Sequence, residues 1–169
     1  MDSQNMRFLL LTTFLTLGCS TPANAPNASV STSFPAIARS ASLNLVDLEG
    51  NTLELGRDLA EGRKVVLVFW QTWCAACRRE APELIEAHNR RASELRFVGV
   101  VPGGTDITTP ADISKTARVW GLPYPQVQDT DLALTKAYGI AGTPTLVVLG
   151  QGGEILYRGS AVPDWNVFH

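Results

Sequence analysis

The passage from Val65-Val66-Leu67-Val68-Phe69-Trp70 into Gln71-Thr72-Trp73-Cys74-Ala75-Ala76-Cys77 limits the possible folds more than any other part of the chain. Six consecutive apolar residues suit a strand buried on both faces of a central sheet. The close cysteine pair that follows reads as a dithiol delivered to a helix start. Cysteines separated by two residues can close a small disulfide ring, and the partial positive charge at a helix N-terminus favours the thiolate of the first sulfur. Two bland readings compete with redox chemistry. A closed zinc site wants four Cys or His ligands, and the remaining candidates, Cys19, His88 and His169, include no ligand-spaced pair. An inert structural disulfide is the second, and the strand-to-helix context weighs against both.

The other elements arrange themselves around this passage. Leu43 to Leu48 and Thr52 to Leu55, alternating across Glu49-Gly50-Asn51, predict a hairpin, and Arg57 to Ala60 a helical turn. A helix is expected from Cys74 to about Ala92, with Ala81, Leu84, Ile85 and His88 at helical spacing and Pro82 as a kink. Phe97 to Val101 is the next buried strand. Pro102-Gly103-Gly104 opens a loop to Pro110, Ala111 to Trp120 reads as helix, and Gly121-Leu122-Pro123-Tyr124-Pro125 breaks it. Asp131 to Tyr138 predicts a short helix with Asp129 or Thr130 as N-cap. Thr145 to Leu149 and Glu154 to Arg158 predict a terminal hairpin. That order is an α/β layer fold on a mixed sheet.

At the N-terminus, Phe8 to Leu17 is a short apolar run between Arg7 and Gly18-Cys19, the layout of a secretory signal and too short to span a bilayer. Met6-Arg7 makes a more ordinary signal start than Met1-Asp2. Leu15-Thr16-Leu17-Gly18-Cys19 resembles a bacterial lipoprotein signal, which implies that Cys19 carries lipid and becomes the new N-terminus. The rival is cleavage after Ala23-Asn24-Ala25, which Pro26 would hinder. Residues 20–40, rich in Ser, Thr, Pro, Ala and Asn, read as a tether sampling a shell of about 25 Å. The organisation is thus a signal peptide over residues 1–19, a linker over 20–40 and one folded domain over 41–169. Either export route leads to a compartment where disulfides persist. With 14 Lys and Arg against 16 Asp and Glu, a net charge of −2 and no basic surface, nucleic acid is excluded as a partner.

Two anchors, Val65 through Leu84 and Tyr138-Gly139-Ile140-Ala141-Gly142-Thr143-Pro144-Thr145, resemble thioredoxin-fold thiol-disulfide oxidoreductases of the TlpA/ResA type. The resemblance spans roughly residues 42–159. It implies a thioredoxin-like fold with an N-terminal β-hairpin, no cofactor beyond the redox-active Cys74 and Cys77, and placement on the outer side of a membrane. By position Cys74 is the exposed attacking thiol and Cys77 the resolving one. Glu80, three residues after Cys77 and so on the same helix face, matches an acidic position implicated in proton handling. Val68 stands where thioredoxin itself has a buried aspartate. Thr143-Pro144 matches the family's cis-proline dipeptide, a bond that only proline makes cheap, and Thr143 offers backbone groups to an extended substrate. Trp73, Ala75 and Ala76 frame the substrate, Trp70 belongs to the core, and Arg78 suits a solvated helix face.

The chain departs from the family pattern where Ala75-Ala76 replaces a proline-containing pair, and it stops at His169 where the family continues into a helix. The implied partners are disulfide-bearing envelope proteins, apocytochromes among them, a transmembrane electron donor, and the bilayer through Cys19. Two further readings are weighed. A thiol peroxidase shares the fold, but Gln71-Thr72-Trp73-Cys74 differs from the usual peroxidatic pattern. A copper-handling module would use the soft thiolates but lacks added His or Met ligands.

Overall fold

The computed structural model describes residues 43–168. The expected signal peptide, linker and lipidated Cys19, and also His169, lie outside the described residues. A two-stranded antiparallel sheet comes first, formed by β1 (Asn44–Val46) and β2 (Thr52–Glu54), with Leu45 opposite Leu53. Its turn is built on Asp47, whose carboxylate accepts from the Glu49 and Asn51 amides, and on Gly50 at φ 85°. The helix α1 (Leu55–Ala60) follows directly, so Leu55, expected in the strand, instead opens the helix.

The main sheet contains β3 (Lys64–Phe69), β4 (Leu95–Pro102), β5 (Gln126–Asp129), β6 (Thr145–Leu149) and β7 (Ile155–Gly159), in the order β5-β4-β3-β6-β7. Pairing is parallel from β5 through β4 to β3 and antiparallel from β3 through β6 to β7. The continuous apolar run works as its sequence demands. Val65, Leu67 and Phe69 join one core cluster with Leu55, Leu59, Leu134 and Tyr138, while Val66 and Val68 join another with Leu84, Ala87 and Phe168. Period-two alternation thus sends neighbouring side chains into different cores, and every position must be apolar. β4 and β6 divide in the same way, with Val98, Val100, Val147 and Leu149 on one side and Phe97, Leu146 and Val148 on the other.

Helix α2 (Ala75–Arg91) runs through Pro82 without interruption and buries Cys77, Ala81, Leu84 and Ala87. Helix α3 (Pro110–Trp120) has Thr109 as N-cap, Pro110 in its first turn and Gly121 as a left-handed C-cap at φ 74°, the arrangement of a well-punctuated helix. Helix α4 (Ala133–Ala137) is shorter than expected. Its start lies two residues later because the N-cap residue is Leu132, at φ 60°. Asp129 serves it from a distance: the buried carboxylate accepts from the Leu134 and Thr135 amides at 3.1 and 2.7 Å and from the Thr135 hydroxyl at 2.6 Å. A 3₁₀ turn over Trp165–Phe168 ends the described chain. Among the described residues no helix is long and apolar enough to cross a membrane.

Strand β5 was not expected from its sequence. Its residues Gln126-Val127-Gln128-Asp129 lack an apolar run, and their strand conformation comes from parallel pairing with β4.

Candidate active site

The short segment between β3 and α2 carries the reactive pair. Gln71 fixes it twice, through its backbone carbonyl, which accepts from the Cys74 amide at 3.0 Å, and through its side-chain amide, which donates to the Pro102 carbonyl at 2.6 Å. Cys74 is the N-cap of α2, and its Sγ accepts from the Cys77 amide at 3.1 Å. The two cysteines form a disulfide with a Cα–Cα distance of 5.3 Å. Once the bond is reduced, the same amide and the unsatisfied N-terminal N–H groups of α2 stabilise a thiolate on Cys74.

Exposure departs in degree from the sequence reading. In the disulfide Cys74 retains 9% of its surface and Cys77 5%, so the outer sulfur is only slightly the more accessible. The reason is local packing: both cysteines belong to a cluster with Trp70, Val101, Ile113 and Ala117. Trp73 is the exposed member of the segment, at 61%. Ala75 is exposed and Ala76 half-buried.

The Thr143–Pro144 peptide is cis, as the resemblance implied. Pro144 and Cys77 line one small, mainly apolar pocket together with Val68, Trp70 and Tyr124, so the second anchor of the sequence meets the first at the inner sulfur. Thr143 is half-buried beside it, and the following Thr145 hydroxyl donates to the Gly142 carbonyl at 2.7 Å, steadying the turn. Val68 is 3% exposed, and among the described residues no acidic side chain lines this pocket.

Glu80 lies one turn beyond Cys77 on α2. Burial pushes its carboxyl above the ordinary range; Glu83 adds to the rise and Arg79 opposes it. One carboxylate oxygen, Oε2, is buried without a hydrogen-bond partner among the described residues. A carboxyl in that setting is a proton holder at a higher pH than an exposed glutamate. Arg78 is exposed, in keeping with a solvated helix face.

Sequence reasoning did not find the amide side chains that shape the site. Gln126 is buried, accepts from the Trp70 indole at 2.8 Å and donates to the Tyr124 carbonyl at 2.8 Å. Gln128 donates to the Gly103 and Thr108 carbonyls at 3.0 and 2.9 Å. No short-range pattern marks these glutamines, because each finds its partners only through contacts distant in the chain. Among the described residues no three His, Cys, Asp or Glu side chains gather in a way that would hold a metal ion.

Comparison with known proteins places these features in a wider group. The Redoxin family model matches residues 24–167. The thiol-disulfide oxidoreductase ResA of Halalkalibacterium halodurans is 34% identical over 113 residues, 66% of this chain and 61% of that protein. The chain thus spans about three fifths of the length of that relative. A secreted Mycobacterium tuberculosis disulfide oxidoreductase, described as homologous to Escherichia coli DsbE, superposes with a TM-score of 0.60 at 22% identity, covering 75% of this chain and 88% of that one. StoA of Bacillus subtilis gives 0.57 at 23% identity, covering 69% and 85%. At these identities the two structures speak for the fold alone.

Proposed function

The chain belongs to the Redoxin family as a thioredoxin-fold protein of the TlpA/ResA type, and on that premise we propose that it is an exported thiol-disulfide oxidoreductase working as a reductase. The observation that carries this reading is the Cys74–Cys77 disulfide at the start of a 17-residue helix, with Pro144 lining the same pocket as the inner sulfur.

The reaction begins from the reduced dithiol. The Cys74 thiolate attacks one sulfur of a partner disulfide; a mixed disulfide forms, and the displaced partner thiolate takes a proton. Cys77, deprotonated, then attacks Cys74 Sγ, which restores the Cys74–Cys77 bond and releases the second partner thiol. Two electrons and two protons pass to the partner. In this reading Glu80, one helical turn beyond Cys77 and with its pKa raised by burial, takes the Cys77 proton, and the cis-Pro144 edge with Thr143 receives the partner backbone. Resetting the pair requires a dithiol donor, for which a membrane-spanning protein facing the same compartment is the natural source. The partners in this reading are disulfide-bearing envelope proteins, with apocytochromes before haem attachment one class among them, and lipid on Cys19 holds the domain near its donor.

Trapping tests the exchange. A Cys77→Ala variant should accumulate mixed disulfides through Cys74, and none with cellular or model substrates would overturn the reading. The direction is read from the reduction potential and the in-cell redox state: a low potential with reduced thiols fits a reductase, a high one with a standing disulfide an oxidase or isomerase. Lipid-label incorporation that survives Cys19→Ala would rule out the anchor.

A further inference from the structure

Six large apolar side chains are strongly exposed among the described residues, and three of them, Trp73 at 61%, Ile107 at 52% and Val119 at 73%, line a single open groove of about 500 Å³. Apolar residues scattered singly over a surface need no explanation, whereas a convergent set around one concavity marks an interaction site. This groove begins at Trp73, the residue directly before Cys74, and extends along the face of α3.

Its walls are fixed before any partner arrives. On one side the loop over residues 103–109 is held by the Gln71 amide at the Pro102 carbonyl and by the Gln128 amide, which donates to both Gly103 and Thr108. Ile107 leans on Gly103, where φ is 100° and an added Cβ would come within 3.0 Å of the isoleucine. On the other side stand Lys115, Thr116 and Val119 of α3, with Trp120 packed 5.1 Å from Trp70 behind them. Asp112 is occupied, accepting from the Thr109 hydroxyl at 2.7 Å. Lys115 has no ion pair among the described residues.

Resting on the exchange reaction proposed above, we propose that this groove holds the stretch of partner polypeptide next to the partner's cysteine, extended, with a large apolar side chain between Trp73, Ile107 and Val119 and an acidic side chain facing Lys115. Continuity with the reactive sulfur singles out this occupant. During the mixed disulfide the partner's sulfur is bonded to Cys74 Sγ, so its backbone must cross the surface bordering Cys74, and the groove begins one residue away. A small disulfide would leave the groove empty. Specificity and rate for polypeptides would then come from a preorganised apolar pocket that contributes nothing to the chemical step itself.

The test compares two peptides with an intramolecular disulfide, one bearing Phe and Glu close to the attacked cysteine and one with Ser in place of Phe, alongside a small organic disulfide. Wild type should favour the Phe peptide by about tenfold in kcat/KM, the usual scale for losing one apolar anchor. Val119→Glu should abolish that preference, leaving the small-disulfide rate and the Cys74/Cys77 potential unchanged. Ile107→Ser, a milder change on the opposite wall, should reduce the preference in the same direction. Equal rates for the two peptides with wild type, or a Val119→Glu loss that extends equally to the small disulfide, would overturn the groove assignment while leaving exchange intact. Failure of wild type with all three disulfides would instead remove the exchange reaction, and this proposal with it.

Discussion

The indole Nε1 of Trp70 donates a 2.8 Å hydrogen bond to Oε1 of Gln126, linking the end of the central strand to the sheet edge across 56 residues of sequence. Trp70 is 1% exposed and shares a cluster with both cysteines, so this bond sets one wall of the redox site. Gln126 fits because its strand partner is Gly99: an added Cβ there would collide with Oε1. A flexible amide usually yields to such a contact, but this one is bonded at both ends, to Trp70 and to the Tyr124 carbonyl.

Gly99→Ala is therefore expected to displace the amide, breaking both bonds at a cost of about 2–4 kcal/mol. Gln126→Leu, which leaves the indole N–H buried without an acceptor, should cost about 1–3 kcal/mol. Because both changes remove the same two hydrogen bonds of the Gln126 amide, the double variant should fall well short of their sum. Urea denaturation of the four proteins measures this, and simple additivity would contradict it.

The capping role of Cys74 separates from its chemistry. Its Sγ accepts from the Cys77 amide at 3.1 Å. Cys74→Ser keeps an acceptor there and Cys74→Ala does not, so the serine variant should be the more stable by about 1 kcal/mol. Neither should exchange disulfides. Paired urea midpoints under reducing conditions are the measurement, and equal midpoints would show that the cap contributes nothing.

Glu80 carries a pH signature. Burial, then Glu83, raises its folded pKa above the ordinary carboxylate value of 4.5, against the pull of Arg79. The protonated form is thus favoured in the folded state. Its contribution is fully present below the unfolded value and is lost as pH rises through the folded one. Glu80→Gln should be more stable than wild type at neutral pH, by less than about 1 kcal/mol given solvent screening of a half-exposed side chain. The gap should close in acid. Denaturation from pH 4 to pH 7 reads this directly, and parallel profiles would refute it.

Legibility in the sequence followed the range of the interactions. The hairpin of β1 and β2, the strand β3, the helix α2 and the terminal hairpin of β6 and β7 were readable because periodicity and turn residues lie within a few positions of each other. The edge strand β5 was not, since Gln126-Val127-Gln128-Asp129 becomes a strand only by pairing with β4. The end of α4 was missed for a related reason. Its first amide, that of Ala133, donates to Asp131, and the next two, of Leu134 and Thr135, to Asp129 from five and six residues away, so the helix starts at Ala133 rather than at Asp131. Within the site, the cysteines and Pro144 were legible because each carries a distinctive local chemistry. The unpartnered Oε2 of Glu80 and the tethering amides of Gln71, Gln126 and Gln128 were not, because glutamine and glutamate look alike on a solvated face and in a core.

The sequence by itself determined that an apolar strand would end at a dithiol on a helix N-terminus, since both features depend on residues adjacent in the chain. Only the tertiary structure decided what surrounds that dithiol. Pro144 reaches Cys77 because β6 pairs antiparallel with β3, and Trp70 is held because β5 closes the far edge of the sheet. Ile107 and Val119 share a groove with Trp73 because a loop and a helix fold back beside the segment that joins β3 to α2. Contacts between residues tens of positions apart depend on strand pairing and core packing, which leave no short-range pattern in the chain.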